Sequence, residues 1–389
     1  MTATSTHPVG ERLREPGPKR LLALDGGGIR GLVTLGYLAK IESVLRQRSG
    51  RPELVLSDYF DLIGGTSTGS IIATLLSLGW SVERILGLYH EVGRKAFTPK
   101  KSWLGAVGRS LGAKFDDRPL TKLLRQHLGD RTLGTEDLRT GLLIVVKRAD
   151  TGSVWALFNA PDQPFYGANR DMALWQAIRA STAAPTYFRP ETVAGIAGGE
   201  AAVFVDGGVS MHCNPALQLL MTATLAGFGV RWPWGEDRLL LCSVGTGSFA
   251  RHPPREQLER FNNLQWAGVL ISQLMADAGE LNETVLQWIS TSPTARRLDA
   301  QIGDLQDDLL TPAPRLTYLR YDVELDRSKL AELGLEYSAA EVLELHEMSN
   351  TERIADLDRI GRVAAAAQVD AAHFAAAFDR AVSDPAAIR

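Results

Sequence analysis

Short apolar stretches alternate along this chain with longer segments in which apolar residues recur at helical spacing. The stretches predict buried strands at residues 21–24, 60–63, 142–147, 154–158, 202–206, 239–244 and 316–323. The helical pattern occurs at about 31–48, 71–76, 81–96, 174–178, 256–290 and 326–389. Strands that alternate with helices predict an α/β fold, a three-layer sandwich with a mostly parallel central sheet and helices on both faces.

Three parts of the 389-residue chain differ in their pattern. Residues 1–18 are polar and contain prolines, so we expect a disordered N-terminal segment. Residues 19–325 carry all the predicted strands and form the main domain. Residues 326–389 are rich in alanine and glutamate at helical spacing, which predicts a C-terminal helical extension.

The segment at 60–76 combines an apolar strand end, a Gly-x-Ser-x-Gly pentapeptide and a helical run. This succession of strand, turn and helix is the context of a nucleophile elbow, in which a strained turn exposes a serine hydroxyl. Ser67 is therefore the predicted nucleophile. Gly65 and Gly69, two residues before and after it, supply the lack of bulk that the tight turn needs.

A second glycine-rich turn follows the first strand, with the sequence Asp-Gly-Gly-Gly-Ile-Arg-Gly at 25–31. Its exposed backbone amides suit an anion. In one interpretation, Gly27 and Gly28 donate to the oxyanion of a tetrahedral acyl intermediate, with Arg30 as a nearby positive charge or a structural anchor. A turn that only permits close helix packing is the plain structural alternative.

The same turn also fits a dinucleotide-binding pattern, because Gly26, Gly28 and Gly31 satisfy G-x-G-x-x-G. That pattern requires an acidic residue about 20 positions later, at the end of a second strand. Glu42 lies instead within a helical pattern, which disfavours a nucleotide-binding oxidoreductase.

The strand at 202–206 ends in Asp206 and is followed by two glycines. Catalytic groups gather at strand ends in open α/β sheets, so Asp206 is the candidate base for Ser67, with a turn-forming Asp-Gly as the structural alternative. An ordinary aspartate has a pKa of about 3.9, and the apolar residues before Asp206 are expected to raise it. His212 and His252 follow Asp206 and would give a Ser-Asp-His order, but neither has supporting sequence context.

The net charge of -3 and the sequence pI near 6.2 disfavour a nucleic-acid binder with a basic surface. Cys213 and Cys242 are too few for a disulfide framework, which favours a reducing, cytoplasmic location. The sequence contains no recognisable signal peptide, membrane-spanning run or metal-ligand cluster. The segment at 94–125 is basic and carries aromatic residues, which fits a lid, a membrane-surface contact or a solvated connector.

Three motifs together resemble the patatin-like phospholipase family, over about residues 19–321. They are Asp-Gly-Gly-Gly-x-Arg-Gly at 25–31, Gly-x-Ser-x-Gly at 65–69 and Asp-Gly-Gly at 206–208. The segments at 180–188 and 245–247 are also similar to the family's. Many relatives have Asn-Asn-Pro after the aspartate where this chain has Cys-Asn-Pro at 213–215, and a packing change is expected there.

The resemblance implies a role for each residue of the three motifs. Ser67 would be the nucleophile and Asp206 its partner in a Ser-Asp dyad. The oxyanion loop would consist of Gly26, Gly27 and Gly28, supported by Arg30.

The activity implied is that of a bacterial-type serine lipid acyl hydrolase, of the phospholipase A or lysophospholipase type. It would cleave phospholipids or other fatty-acyl esters through an acyl-enzyme, without a metal or cofactor. Peripheral contact with a membrane surface is expected, and homo-oligomerisation and a small-molecule activator stay open. The alternatives are a non-catalytic or signal-activated effector with the same fold and, less favoured, the nucleotide-binding oxidoreductase.

Overall fold

The computed structural model describes residues 7–96, 113–196, 201–249 and 255–380, and these residues build an eight-stranded central sheet. The strands are β1 (Lys19–Leu24), β2 (Leu62–Thr66), β3 (Gly141–Arg148), β4 (Val154–Phe158), β5 (Glu191–Val193), β6 (Ala202–Asp206), β7 (Leu239–Val244) and β8 (Thr317–Tyr321). Their order across the sheet is β5-β6-β3-β2-β1-β7-β8, and β4 also pairs with β3.

Helices occupy most of the connections between the strands and most of the described chain after β8. They are α1 (Pro8–Arg14), α2 (Gly31–Ser49), α3 (Leu56–Tyr59), α4 (Thr68–Ser77), α5 (Val82–Ala96), α6 (Arg118–Leu128), α7 (Tyr166–Asn169), α8 (Leu174–Ser181), α9 (Ala216–Thr224), α10 (Arg255–Leu258), α11 (Asn263–Trp288), α12 (Arg327–Glu332), α13 (Ala339–His346) and α14 (Ile354–Gln368).

The sheet is mostly parallel and is covered by helices on both faces. Strands β3, β2, β1, β7 and β8 run parallel, whereas β4 and β6 are antiparallel to β3. A Cβ on Gly64 would lie 2.4 Å from Leu219 of α9, and one on the next residue, Gly65, would lie 2.2 Å from Gly69 of α4. Because successive strand residues point to opposite faces, α9 and α4 lie on opposite sides. The predicted α/β sandwich is confirmed.

The C-terminal helices share the core of the main domain instead of forming a separate appendage. Helix α14 crosses α2 so closely that a Cβ on Gly36 would lie 2.4 Å from the Gly361 carbonyl carbon. Leu357 and Ile360 of α14 are buried in the same hydrophobic cluster as the sheet. The predicted helices after residue 326 are therefore present, but the predicted boundary at 325 separates segments that pack as one unit.

The N-terminal segment differs from the expected disorder, because α1 is folded against the main domain. Val9 and Leu13 lie four residues apart on one face of α1, and both are buried. The Trp232 indole donates a hydrogen bond to the Leu13 carbonyl at 3.0 Å. The polar composition of residues 1–18 obscured this pair of apolar anchors; residues 1–6 lie outside the described residues.

The predicted basic segment is only partly visible, because residues 97–112 lie outside the described residues. Its C-terminal part is α6, in which Leu120 and Leu124 are buried while Lys122 and Arg125 are exposed. This amphipathic helix packs on α8 and α5. A role of the segment as a lid or membrane contact stays a prediction.

We predict that Gly36→Ala destabilises the protein by about 1–3 kcal/mol, the typical cost of overpacking a core. The new methyl group would collide with the backbone of Gly361 and Arg362, which cannot move as a flexible side chain can. Urea unfolding followed by circular dichroism measures the change. Gly87→Ala in α5 is the control, since its Cβ would meet no atom within 4 Å, and equal stability of the two variants would contradict the prediction.

Candidate active site

The pairing of β3 brings the ends of two other strands together. Along one edge of β3, the parallel strand β2 pairs as far as Thr66, opposite Val145. The antiparallel strand β6 then pairs along the same edge, ending with Asp206 opposite Val146. The opposite edge is occupied by β4, which pairs with both valines. Strands β2 and β6 therefore approach each other end to end, and Ser67, the next residue after β2, meets Asp206.

Ser67 occupies a strained turn between β2 and α4. Its φ of 54° and ψ of -127° are unusual for a residue with a side chain, and such strain concentrates at functional sites. The turn is tight because a Cβ on Gly65 would lie 2.2 Å from Gly69, and one on Gly69 would lie 2.3 Å from the Leu24 carbonyl oxygen. These contacts give the physical reason for both glycines of the pentapeptide.

The Ser67 hydroxyl donates a hydrogen bond to Asp206 Oδ2 at 2.6 Å. The other carboxylate oxygen, Oδ1, accepts from the Gly208 amide at 2.7 Å. Burial raises the pKa of Asp206 to about 6, against the lowering effects of the two hydrogen bonds and of the positive charge of Arg179. Asp206 is thus a stronger base than an exposed aspartate, and it holds the hydroxyl in place.

Arg179 was not identified from the sequence. It is fully buried, its Nη2 donates to the Arg189 carbonyl at 2.9 Å, and Asp117 lies 3.6 Å from the same nitrogen. Its Nε and Nη1 have no hydrogen-bond partner among the described residues. This buried cation favours the ionised form of Asp206.

Ser181 is the second residue that sequence reasoning missed. Its buried hydroxyl accepts a hydrogen bond from the Ser67 amide at 2.9 Å and donates one to the Val145 carbonyl at 2.7 Å. Through these two hydrogen bonds, Ser181 links the strained turn at Ser67 to β3, the strand with which both β2 and β6 pair. The spacing of the small residues at 180–188 gives no sign of this bridge.

The glycine loop lies beside the nucleophile, but its three amides are not equivalent. The Gly26 amide donates to the Cys213 carbonyl at 3.0 Å, and the Gly27 amide makes a longer bond of 3.3 Å to Thr68 Oγ1. The Gly28 amide has no acceptor among the described residues. Gly26 is thus used to hold the loop, and Gly28 is the amide left available to an oxyanion.

Cys213 packs against the glycine loop. Its carbonyl holds Gly26, and its thiol lies 3.6 Å from the Gly26 carbonyl oxygen. Burial raises the pKa of the Cys213 thiol to about 12. Cys213 therefore supports the backbone of the glycine loop at Gly26.

Arg30 acts as an anchor of the loop. Its Nη1 donates to the Gly247 carbonyl at 3.0 Å, its Nε donates to the Gly27 carbonyl at 3.4 Å, and its guanidinium lies 4.9 Å from the ring centre of Phe249. Of the two roles considered for Arg30, these contacts favour the structural one.

An apolar cavity of about 120 Å³ adjoins the dyad. Ser67 and Asp206 lie among its lining residues, and most of the remaining lining is apolar, about half of it from side chains of α4, α5, α6 and α8. Such a cavity can accept a hydrocarbon chain attached to a group that reacts at Ser67.

The chain matches a family model described as patatin-like phospholipase over residues 22–220, about half its length. The match includes the glycine loop, Ser67 and Asp206. The chain belongs to the patatin-like phospholipase family. That membership supports a lipid ester hydrolase.

Curated relatives of this patatin-like phospholipase come from plants and bacteria. Patatin-17 of Solanum cardiophyllum is 27% identical over 285 residues, which cover 66% of this chain and 68% of that protein. A protein named cGAMP-activated phospholipase, from Vibrio cholerae serotype O1, is 32% identical over 203 residues, 51% of this chain and 55% of that protein. The chain thus spans about half the length of this bacterial relative.

Among solved structures, human GIVD cytosolic phospholipase A2 aligns with 95% of this chain and 65% of its own. The identity is 12% and the TM-score 0.40, too loose a superposition to support an inference.

The patatin-like phospholipase also has contacts to the glycine loop from outside the matched region. The Met348 carbonyl accepts a hydrogen bond from the Ile29 amide at 2.9 Å, and a Cβ on Gly28 would lie 2.3 Å from the same oxygen. The His346 ring stacks on Phe249 with ring centres 3.9 Å apart. The C-terminal segment thus contributes to the site, although the sequence pattern indicated no chemistry there.

A buried ion-pair cluster supports the loop from the other side. Arg320 lies 2.8 Å from Asp25 and 3.1 Å from Asp322, and Asp322 Oδ1 accepts from the Gly247 amide at 2.9 Å. Burial raises the pKa of Asp25 to about 6 in spite of Arg320. The cluster joins β1, β7 and β8 at their carboxyl ends, where the loops of the site begin.

The geometry supports neither a histidine base in place of Asp206 nor dinucleotide binding by the glycine loop. The Thr66 hydroxyl donates to the His212 carbonyl, while the His212 Nδ1 has no partner in the described ranges; His252 lies outside them. Glu42 pairs with Arg46 at 2.6 Å within α2, away from any strand end that could hold a ribose.

In the described parts of the chain, no cluster of three or more His, Cys, Asp or Glu side chains is arranged to hold a metal. None of the described helices has the length and apolarity to cross a membrane.

We predict that Ser181→Ala lowers the free energy of unfolding by about 1–3 kcal/mol, because the Ser67 amide and the Val145 carbonyl each lose a buried partner. Urea unfolding measures the loss. Ser153→Ala, at an exposed turn, is the control. If both variants lose the same small amount, the hydroxyl bridge does not hold the turn.

Proposed function

We propose that this chain hydrolyses fatty-acyl esters of phospholipids or related lipids through Ser67 and Asp206. The observation that supports this most is the hydrogen bond of 2.6 Å from the Ser67 hydroxyl to Asp206 Oδ2, at one end of an apolar cavity. A serine nucleophile needs a base within hydrogen-bond reach, and an acyl chain needs an apolar space next to the reacting carbonyl.

In the first half of the reaction, Asp206 accepts the proton as Ser67 Oγ attacks the ester carbonyl. A pKa of about 6 places this base closer to neutral pH than an ordinary aspartate, which favours proton transfer. The negative charge that develops on the carbonyl oxygen would be stabilised by the Gly28 amide and by the N-terminus of α4. The Gly27 amide would join them once its 3.3 Å hydrogen bond to Thr68 Oγ1 is broken. The alcohol then leaves with the proton from Asp206.

In the second half, water attacks the acyl-enzyme. Asp206 takes a proton from the water, and collapse of the second tetrahedral intermediate returns a proton to Ser67 Oγ and releases the fatty acid. Ser181 and the glycines of the turn keep Ser67 Oγ in place through both halves.

The substrate class carries further proposals. Because phospholipids reside in bilayers, the proposal includes peripheral contact of the protein with a membrane surface in the cytoplasm. The proposed specificity is that of a phospholipase A or a lysophospholipase. Control by a small-molecule activator is supported by the names of two bacterial relatives, both described as cGAMP-activated phospholipases.

We predict that Ser67→Ala and Asp206→Asn each lower the hydrolysis rate by at least about a thousandfold, the typical effect of removing one member of a nucleophile and base pair. The assay uses p-nitrophenyl esters and mixed phospholipid vesicles, each with and without cyclic GMP-AMP. Asp171→Asn, at an exposed position, is the control, and circular dichroism verifies that each variant folds.

Activity that survives in folded Ser67→Ala would refute the nucleophile. A wild-type protein that is silent on every substrate, with and without the cyclic dinucleotide, would refute the hydrolase proposal in favour of a non-catalytic effector. Equal wild-type rates under both conditions would refute control by this activator.

We predict that kcat/KM rises tenfold per pH unit below about pH 6 and becomes constant above it, because Asp206 must be ionised to accept the proton. A pH-rate profile on a neutral ester measures this. In Arg179→Met the inflection should move to higher pH, since the variant loses the charge that favours the carboxylate. An inflection near pH 4 in the wild type would contradict the burial of the base.

A further inference from the structure

The cavity beside Ser67 extends along helix α4. Ile71 and Leu75 follow Ser67 at intervals of four residues, so all three lie on one face of the helix, and all three line the cavity. With a rise of 1.5 Å per residue, the eight residues from Ser67 to Leu75 span about 12 Å. The cavity is therefore an elongated space with the nucleophile at one end.

Helix α6 lies alongside this space, with its N-terminus near the dyad. Asp117, just before α6, lies 3.6 Å from Arg179 in the last turn of α8, close to Ser181 and hence to Ser67. Near the other end of α6, Arg125 lies over Trp175 in the first turn of α8. Helices α6 and α8 are thus antiparallel, and the C-terminus of α6 is remote from the nucleophile.

At the far end of the cavity lies a group that we call the end wall: Leu75, Trp80, His127 and Leu128. Leu75 and Leu128 are buried and line the cavity together with His127. The Trp80 ring packs edge-on behind His127, with ring centres 5.9 Å apart. The guanidinium of Arg84 lies 3.4 Å from the centre of the Trp80 ring.

The length of the cavity along α4 gives an estimate of the acyl chain that it can hold. An extended chain of tetrahedral carbons advances about 1.2 Å per bond, as an extended protein backbone does, so about 12 Å accommodates roughly ten carbons.

We propose that the end wall sets the acyl-chain length of the substrate at about ten carbons, and that His127 is a specificity-determining residue. This inference rests on the proposed function, because it assumes that the acyl chain of the ester enters this cavity. Each methylene buried on the way to the end wall strengthens binding by about fourfold. A longer chain must displace His127 and Trp80 or leave its tail in water, so additional methylenes bring no gain.

The test measures binding separately from catalysis. Neutral 1-alkanols of 6 to 14 carbons are titrated into full-length Ser67→Ala by competition with a fluorescent alkyl probe; alkanols avoid the repulsion between a fatty-acid carboxylate and Asp206. Affinity is expected to rise severalfold per methylene and to level off near ten carbons. In parallel, the active protein is assayed on p-nitrophenyl esters of the same lengths.

Two variants should shift the profile in opposite directions. His127→Ala removes the ring in front of Trp80 and should move the plateau to longer chains, with at least a tenfold gain for 14 carbons relative to 10. Leu75→Phe fills the end of the cavity and should move the plateau to shorter chains. Gln126→Ala, at the exposed neighbour of His127, is the matched control and should leave the profile unchanged.

The outcomes separate the two proposals. His127 is half-buried, so His127→Ala is expected to fold even if Leu75→Phe does not. A profile that is the same in wild type and His127→Ala, or a plateau that shifts to shorter chains, overturns the role of the end wall whatever the hydrolysis assay shows. Binding profiles that shift as expected, without hydrolysis of any ester, support the end wall and overturn the proposed function.

Discussion

The register of two strands along one edge of β3 is the constraint on which the rest of the site depends. Strand β2 ends opposite Val145 and β6 ends opposite Val146, so their termini meet with no residue of β3 between them. Backbone hydrogen bonds, and not a flexible loop, therefore set the distance from Ser67 to Asp206. A slip of one residue in either strand would turn its side chains to the other face of the sheet.

The contacts around Ser67 and Asp206 stabilise two features that cost free energy, the strained backbone of Ser67 and the buried charge of Asp206. Ser67 is held in a strained conformation by close backbone approaches at Gly65 and Gly69 and by the Ser181 hydroxyl. Asp206 is buried, which disfavours its charge, and the nearby cation of Arg179 partly offsets that cost. These features add up to a preorganised site, in which little has to move for a proton to pass from the hydroxyl to the carboxylate.

Whether a residue of the site can be predicted from the sequence depends on how far along the chain its interaction partners lie. Gly65, Ser67 and Gly69 are local in sequence, and the carboxylate of Asp206 followed from its strand end, so all were predicted. Ser181 accepts a hydrogen bond from Ser67, 114 positions away, and Met348 accepts one from Ile29, which is still further away in the sequence. The residues around Ser181 and Met348 in the sequence give no sign of these partners. The fold class followed from the alternation of strands and helices, whereas the folding of α1 and the shared core of α14 depend on tertiary contacts.

The most direct test of the central claim is covalent labelling with an alkyl fluorophosphonate, which phosphonylates activated serine hydroxyls. Peptide mass spectrometry would locate the adduct, and the rate of labelling would be compared between the wild type and Asp206→Asn. We predict a single adduct on Ser67, formed far more slowly when Asp206 is replaced. An adduct on another residue that abolishes hydrolysis, or equally fast labelling of Asp206→Asn, would contradict the dyad.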